Sequence, residues 1–203
     1  MMFPKSKMDF SEYLIQIKRG KAMIYVFLAN GFEEIEALAP VDFLLRAGIE
    51  VETVGVSGKF CRGAHGINVE ADILLEDIQL NDTLQGIILP GGMPGSQNLF
   101  EDERVHKAID YAFLNNKLVC AICAAPFILG RKGLLKGKNA TCFPGFEDEL
   151  LGANLAESGV IIDGNIVTAK GAGVAWEFGA AICSIITGEE KALQILRGIQ
   201  WRK

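Results

Sequence analysis

Two cysteines three residues apart, Cys120 and Cys123, stand in the stretch VCAICAAPFIL (119–129). A C-x-x-C of this kind is read as a dithiol redox pair, as half of a zinc site, or as a buried strand that carries thiols. Zinc needs four ligands. The remaining cysteines, Cys61, Cys142 and Cys183, are isolated, and there is no second C-x-x-C and no histidine pair. No metal is therefore expected. Cys120 falls inside an apolar run and Cys123 at its end, so strand alternation predicts opposite faces for the two. That disfavours a direct dithiol and leaves Cys120 as a small core residue. Cys123 is different. It closes a predicted strand and opens a predicted helix, the arrangement of a nucleophile elbow. Ala124 and Ala125 are small enough for strand and helix to approach closely. A helix N-terminus favours the thiolate, so a lowered thiol pKa is expected. On spacing alone, a reactive Cys123 and an inert buried one stand level.

A reactive thiol needs an acid or base. The chain has two histidines, His65 and His106, and both precede Cys123. The Cys-His-Glu order of glutamine amidotransferases is thus unavailable. His106, in EDERVHKA, is expected on a solvated helix face. His65 lies in a glycine-rich hairpin and is a candidate substrate or dimer contact. The loop ANGFEEIEA supplies three carboxylates. Glu33 and Glu34 are explained by the preference for acids in a helix's first turn. Glu36, between Ile35 and Ala37, is the one expected to point inward. A buried glutamate is costly unless paired or protonated, and a protonated Glu36 would donate a hydrogen bond to the thiolate. The LPGG turn (89–92) brings backbone N–H groups to the same edge, where those of Gly92 and Ala124 are placed to form an oxyanion hole.

These residues need elements to position them. MIYVFLA (23–29), VETVGV (51–56), GIIL (86–89), KLVCAIC (117–123) and the start of NIVTAKGAG (165–173) read as short buried strands. Between them lie helical patterns: 34–47 with apolar residues at 35, 38, 41, 44 and 45 and a Gly48 stop; about 103–115; AAPFILGRKG, with Pro126 in its first turn; VAWEFGAAICSIITG; and GEEKALQILRGIQ. Residues 58–72 read as a hairpin. Strands alternating with helices predict a mostly parallel sheet covered on both faces, with sites at the carboxyl ends of its strands.

Composition bounds the rest. At 203 residues with half of them apolar, one domain with a sizeable core is expected. A net charge of −5 excludes a chain-wide basic field for nucleic acid, and the basic stretch RKGLLKGK (131–138) reads as a solvated turn. Five scattered cysteines match no disulfide scaffold and point to free thiols in the cytoplasm. No apolar run approaches a membrane span, and the short run at 23–29 is followed at once by acids, unlike a signal peptide. Residues 1–22 are lysine-rich and are expected to be an N-terminal arm outside the domain, which would then occupy 23–203.

Over 23–199 the chain resembles the ThiJ/PfpI superfamily, most closely its DJ-one branch in a bacterial-type form. The residues that carry this are GFEEIEA with Pro40-Val41-Asp42, AGIEV (47–51), ILPGG (88–92) with GSQNL (95–99), AICAAP (121–126), Thr141-Cys142-Phe143-Pro144-Gly145-Phe146-Glu147, and TAKGAG (168–173) with WEFG (176–179). The resemblance implies a flavodoxin-like three-layer α/β sandwich related to class I glutamine amidotransferases, in a homodimer. It makes Cys123 the nucleophile, Glu36 the protonated carboxylate beside it, and Gly92 and Ala124 the backbone donors. It implies a cofactor-free glyoxalase or deglycase acting on small aldehydes or glycated adducts, or a redox sensor or chaperone using the same cysteine. The protease branch carries histidine after the cysteine where this chain has Ala124, which argues against peptidase activity. Animal members carry a histidine near the site where this chain has Phe143. The relatives' Ser-Arg-Gly-Pro-Gly loop is here Ala169-Lys170-Gly171-Ala172-Gly173, and His65 falls near a family arginine that reaches the partner's site.

Overall fold

A computed structural model describes residues 23–202; the arm expected at 1–22 lies outside the described residues. Eleven strands are present among them: β1 (Met23–Leu28), β2 (Glu50–Gly55), β3 (Phe60–Arg62), β4 (Asn68–Glu70), β5 (Ile73–Leu74), β6 (Leu84–Leu89), β7 (Leu118–Ile122), β8 (Asn139–Ala140), β9 (Asn154–Leu155), β10 (Val160–Asp163) and β11 (Ile166–Ala169). The helices are α1 (Glu34–Ala47), α2 (Gly95–Glu101), α3 (Glu103–Leu114), α4 (Pro126–Arg131), α5 (Ala175–Thr187) and α6 (Glu189–Gly198).

Seven strands form one sheet in the order β10-β11-β7-β6-β1-β2-β5, parallel except for the β10–β11 hairpin. Strand periodicity divides its side chains between two cores. Ile24, Val26, Leu28, Ile88, Cys120 and Val167 pack with Phe43 and Leu44 of α1, Phe178 and Ile182 of α5, and Ile195 of α6. Tyr25, Phe27, Ile87, Leu89, Val119 and Ala121 pack with Leu99 of α2, Val105 and Ile109 of α3, and Phe127 and Ile128 of α4. This is the three-layer sandwich expected from the alternating pattern. Each fully buried aromatic or aliphatic side chain in these layers stabilises it by roughly 1.5–3 kcal/mol. The chain order reverses between β1 and β6, and in such sheets the crevice at that reversal is where ligands bind.

Helix α1 has the expected bounds, capped by Glu33, whose side chain accepts from the Glu36 N–H at 2.8 Å, and stopped by left-handed Gly48. Its buried face is not the expected one. Ile35 and Leu45 are 51% and 53% exposed, whereas Glu36, Ala37, Pro40, Phe43 and Leu44 face the core. Both stripes have helical period, and the packing of Pro40 and Phe43 onto Gly179 of α5 selects the second: a β-carbon on Gly179 would lie 3.0 Å from Phe43 Cβ. That choice turns Glu36 toward the sheet.

Candidate active site

Strand β7 ends at Ile122, and Cys123 takes φ +65°, a left-handed conformation that non-glycine residues adopt at a cost of about 1–3 kcal/mol. Two backbone bonds hold it there. Its N–H donates to Ala169 O at 2.8 Å, and its carbonyl accepts from Phe143 N–H at 2.8 Å. The turn also corrects the expectation from alternation. Cys123 packs against the same core as Cys120, on the α1 side of the sheet, because the left-handed residue breaks the strand's period. Cys120 is fully buried, as a core filler should be.

The α1 side is where Glu36 waits. It is 1% exposed, and its carboxyl hydrogen-bonds the Cys123 thiol, Gly91 N–H (3.0 Å to Oε2) and Ala172 N–H. Burial pushes its pKa up to about 7. The bond to Cys123 opposes that rise, and repulsion from Glu33 adds to it. The N–H groups of Gly92 and Ala124 point at the sulfur and favour the thiolate. The structure thus brings Cys123, Glu36, Gly92 and Ala124 together.

The expected lowering of the thiol pKa is not found. Burial, then the charge of the adjacent Glu36 carboxylate and its hydrogen bond, push Cys123 up to about 12, against the pull of the two amides. Helix α4 begins only at Pro126 and has six residues, so its dipole is short and starts three residues past the sulfur. Interacting sites titrate as a pair. With values near 7 and near 12, this pair holds two protons below about pH 7 and shares one between about 7 and 12.

Gly91 was not singled out by sequence reasoning. A β-carbon there would stand 2.4 Å from Glu36 Oε2 and 2.5 Å from Cys123 Cβ, so only glycine lets acid and thiol meet. At Gly92, with φ +84°, a β-carbon would be 2.4 Å from Glu33 N. The adjacent pair of glycines after a buried strand is the sequence signal for such an approach.

His65 lies outside this cluster. Its ring is 71% exposed, and Nδ1 is 2.8 Å from Glu34 Oε2 and 3.8 Å from Glu33 Oε1. Glu34, expected to be an ordinary first-turn acid, is 3% exposed and accepts from His65 N–H (2.9 Å) and Ile67 N–H (3.3 Å). It pins the β3–β4 hairpin onto α1. Among the described residues Glu33, Glu34 and His65 form the one group with metal-ligand spacing, their atoms within 4.8 Å of one another; it includes neither Cys123 nor Glu36. His106 is half-buried rather than solvated, set between Phe100 O and Lys132 Nζ. No helix among the described residues is long and apolar enough to cross a membrane.

With this geometry in place, comparison with known proteins assigns residues 22–185 to the family described as the DJ-1/PfpI family. The chain is similar to protein DJ-1 homolog B of Arabidopsis thaliana, 38% identical over 85% of this chain and 40% of that protein's length. It is similar to the glutathione-independent glyoxalase DJR-1.2 of Caenorhabditis elegans, 32% identical over 87% of this chain and 95% of that one. In structure it is similar to oxidized DJ-1 of Toxoplasma gondii, with a TM-score of 0.85, 32% identity, and coverage of 90% of this chain and all of that one. The chain belongs to the DJ-1/PfpI family.

Proposed function

We propose that this protein is a cofactor-free, cysteine-dependent glyoxalase or deglycase acting on small reactive aldehydes or their adducts. The observation that carries the reading is the hydrogen-bonded Cys123–Glu36 pair, a buried carboxyl meeting a half-buried thiol across Gly91. The similar C. elegans protein is named a glyoxalase. Moving the pair's one proton from sulfur to Glu36 generates a thiolate held by the Gly92 and Ala124 amides. The thiolate adds to the aldehyde carbon, the carbonyl electron pair moves onto oxygen, and that oxygen takes the proton from Glu36. In the hemithioacetal, Glu36 then carries the C1 hydrogen to C2 as a proton while a second proton passes from the C1 oxygen to the C2 oxygen. The product is a 2-hydroxy thioester, formed without an oxidant. Water cleaves its C–S bond, releasing the hydroxy acid and the thiol. The test is lactate formation from methylglyoxal by pure protein. Loss of turnover in Cys123→Ser is expected, and equal rates in variant and wild type would refute the mechanism.

A second reading is an oxidative-stress sensor or redox-responsive chaperone. It is favoured by one observation: among the five free cysteines, Cys123 alone is not buried. Peroxide would oxidise its thiolate to a sulfenate with release of water, and a second equivalent would give a sulfinate hydrogen-bonded by Glu36. Mass spectrometry after mild peroxide should find the added oxygen on Cys123; an unmodified Cys123 beside an oxidised Cys61 or Cys142 would end this reading. Free thiols also suit a reducing cytoplasm. A homodimer belongs to the same proposal. Ile35, Phe60 and Ile67, on α1 and the β3–β4 hairpin, are 51%, 69% and 56% exposed, and His65 lies in the same hairpin, so a second subunit packed on these residues would reach it.

A further inference from the structure

The proposed chemistry leaves the substituent on the aldehyde unspecified, and the mouth of the site speaks to it. Gly171 has no side chain, and the space its β-carbon would fill lies 3.4 Å from Phe143 Cδ2, 3.6 Å from Glu36 Oε1 and 3.9 Å from Cys123 Sγ. The missing side chain therefore leaves a gap bordered by three groups: the thiol that attacks, the carboxyl that moves protons, and the edge of an aromatic ring. Phe143 is anchored to the nucleophile's own backbone, its N–H donating to Cys123 O at 2.8 Å, which holds its Cα beside the elbow. It is 47% exposed, a large apolar surface left open at the rim of a polar pair. A flat apolar group entering beside the sulfur would cover that surface and meet the ring edge, a contact that aromatic pairs favour beyond their buried area.

We infer that Phe143 is a specificity-determining residue that selects 2-oxoaldehydes bearing an aryl substituent over those bearing a methyl group. The inference rests on the glyoxalase reading for its turnover, and its second readout does not. In the first arm, kcat/KM is measured for phenylglyoxal, with mandelate as product, and for methylglyoxal, with lactate as product. The wild type should prefer phenylglyoxal. In Phe143→Leu and Phe143→His the preference should fall about tenfold, the size of one aromatic contact with its buried area, through KM for phenylglyoxal rather than kcat. In the second arm, Cys123 is alkylated by 2-bromoacetophenone and by bromoacetone, each rate divided by that of free glutathione with the same reagent. The normalised ratio should favour the aryl reagent in the wild type and fall about tenfold in both variants. Ratios that stay the same in wild type and variants overturn the selection by Phe143. No hydroxy acid from either aldehyde would overturn the glyoxalase reading, while the alkylation ratios would still decide whether the ring selects.

Discussion

Gly91 is where Glu36 and Cys123 meet, with room for a hydrogen and not for a methyl group. In Gly91→Ala the acid and thiol must separate, and a misplacement of about 1 Å costs roughly 10²-fold in rate. We expect kcat/KM with methylglyoxal to fall by at least about that factor while circular dichroism stays native; a variant within a few-fold of wild type would mean that the pair does not act together. Cys123, Glu36, Gly92 and Ala124 were legible in the sequence because residue type and loop position are local properties. Gly91 was not, because its role is a distance between α1 and β7, far apart in the chain. The thiol's upward shift was not legible either. It depends on burial and on a carboxylate 87 positions away, whereas the sequence displays only the helix that follows.

Helix α1 shows where element-scale reading succeeds and stops. Its cap at Glu33 and its stop at Gly48 are local signals, and both ends match. Its buried face was misjudged because Ile35, Leu38 and Leu45 form as regular a stripe as Ala37, Pro40 and Leu44, and contact with α5 decides between them. In sequence Glu34 reads as a dipole complement, because its donors, the N–H groups of His65 and Ile67, sit in a hairpin 31 and 33 residues on. Replacing Glu34 with alanine removes the acceptor of these donors, at about 0.5–1.5 kcal/mol for each hydrogen bond lost from a hairpin that water can reach. Hydrogen exchange should report it: the His65 and Ile67 amides in Glu34→Ala should exchange at least about tenfold faster, with Val119 in the central sheet little changed. Unchanged hairpin protection would show that β3–β4 is held by other contacts.

At the scale of the whole molecule, the fold class was legible because strands and helices alternate along most of the chain, and a parallel sheet needs covering on both faces. The short strands β5, β8 and β9 and the edge strand β10 escaped, since two to four residues carry too little periodicity to read. The proposed dimer should appear by light scattering at twice the 22.0 kDa chain mass, and Phe60→Asp with Ile67→Asp should return it to one chain mass with its circular dichroism kept; a wild type that is monomeric would refute it. Glu36 also makes global stability depend on pH. Its carboxyl titrates near 4.5 ordinarily and near 7 in the fold, so the folded state holds the proton more tightly. The resulting stabilisation is fully present below about pH 4.5 and is lost as pH rises through about 7, a change of ~3 kcal/mol. Denaturant melts should show the wild type losing that much relative to Glu36→Gln between those pH values; parallel stability curves would contradict it. The central claim is that Cys123 and Glu36 share one proton, and the pH dependence of Cys123 alkylation by iodoacetamide tests it most directly, with Cys123→Ser as the blank. The account predicts a wild-type rate that rises with a midpoint near 7 and loses that midpoint in Glu36→Gln. A midpoint near the ordinary thiol value of about 8.5 in both proteins would contradict it.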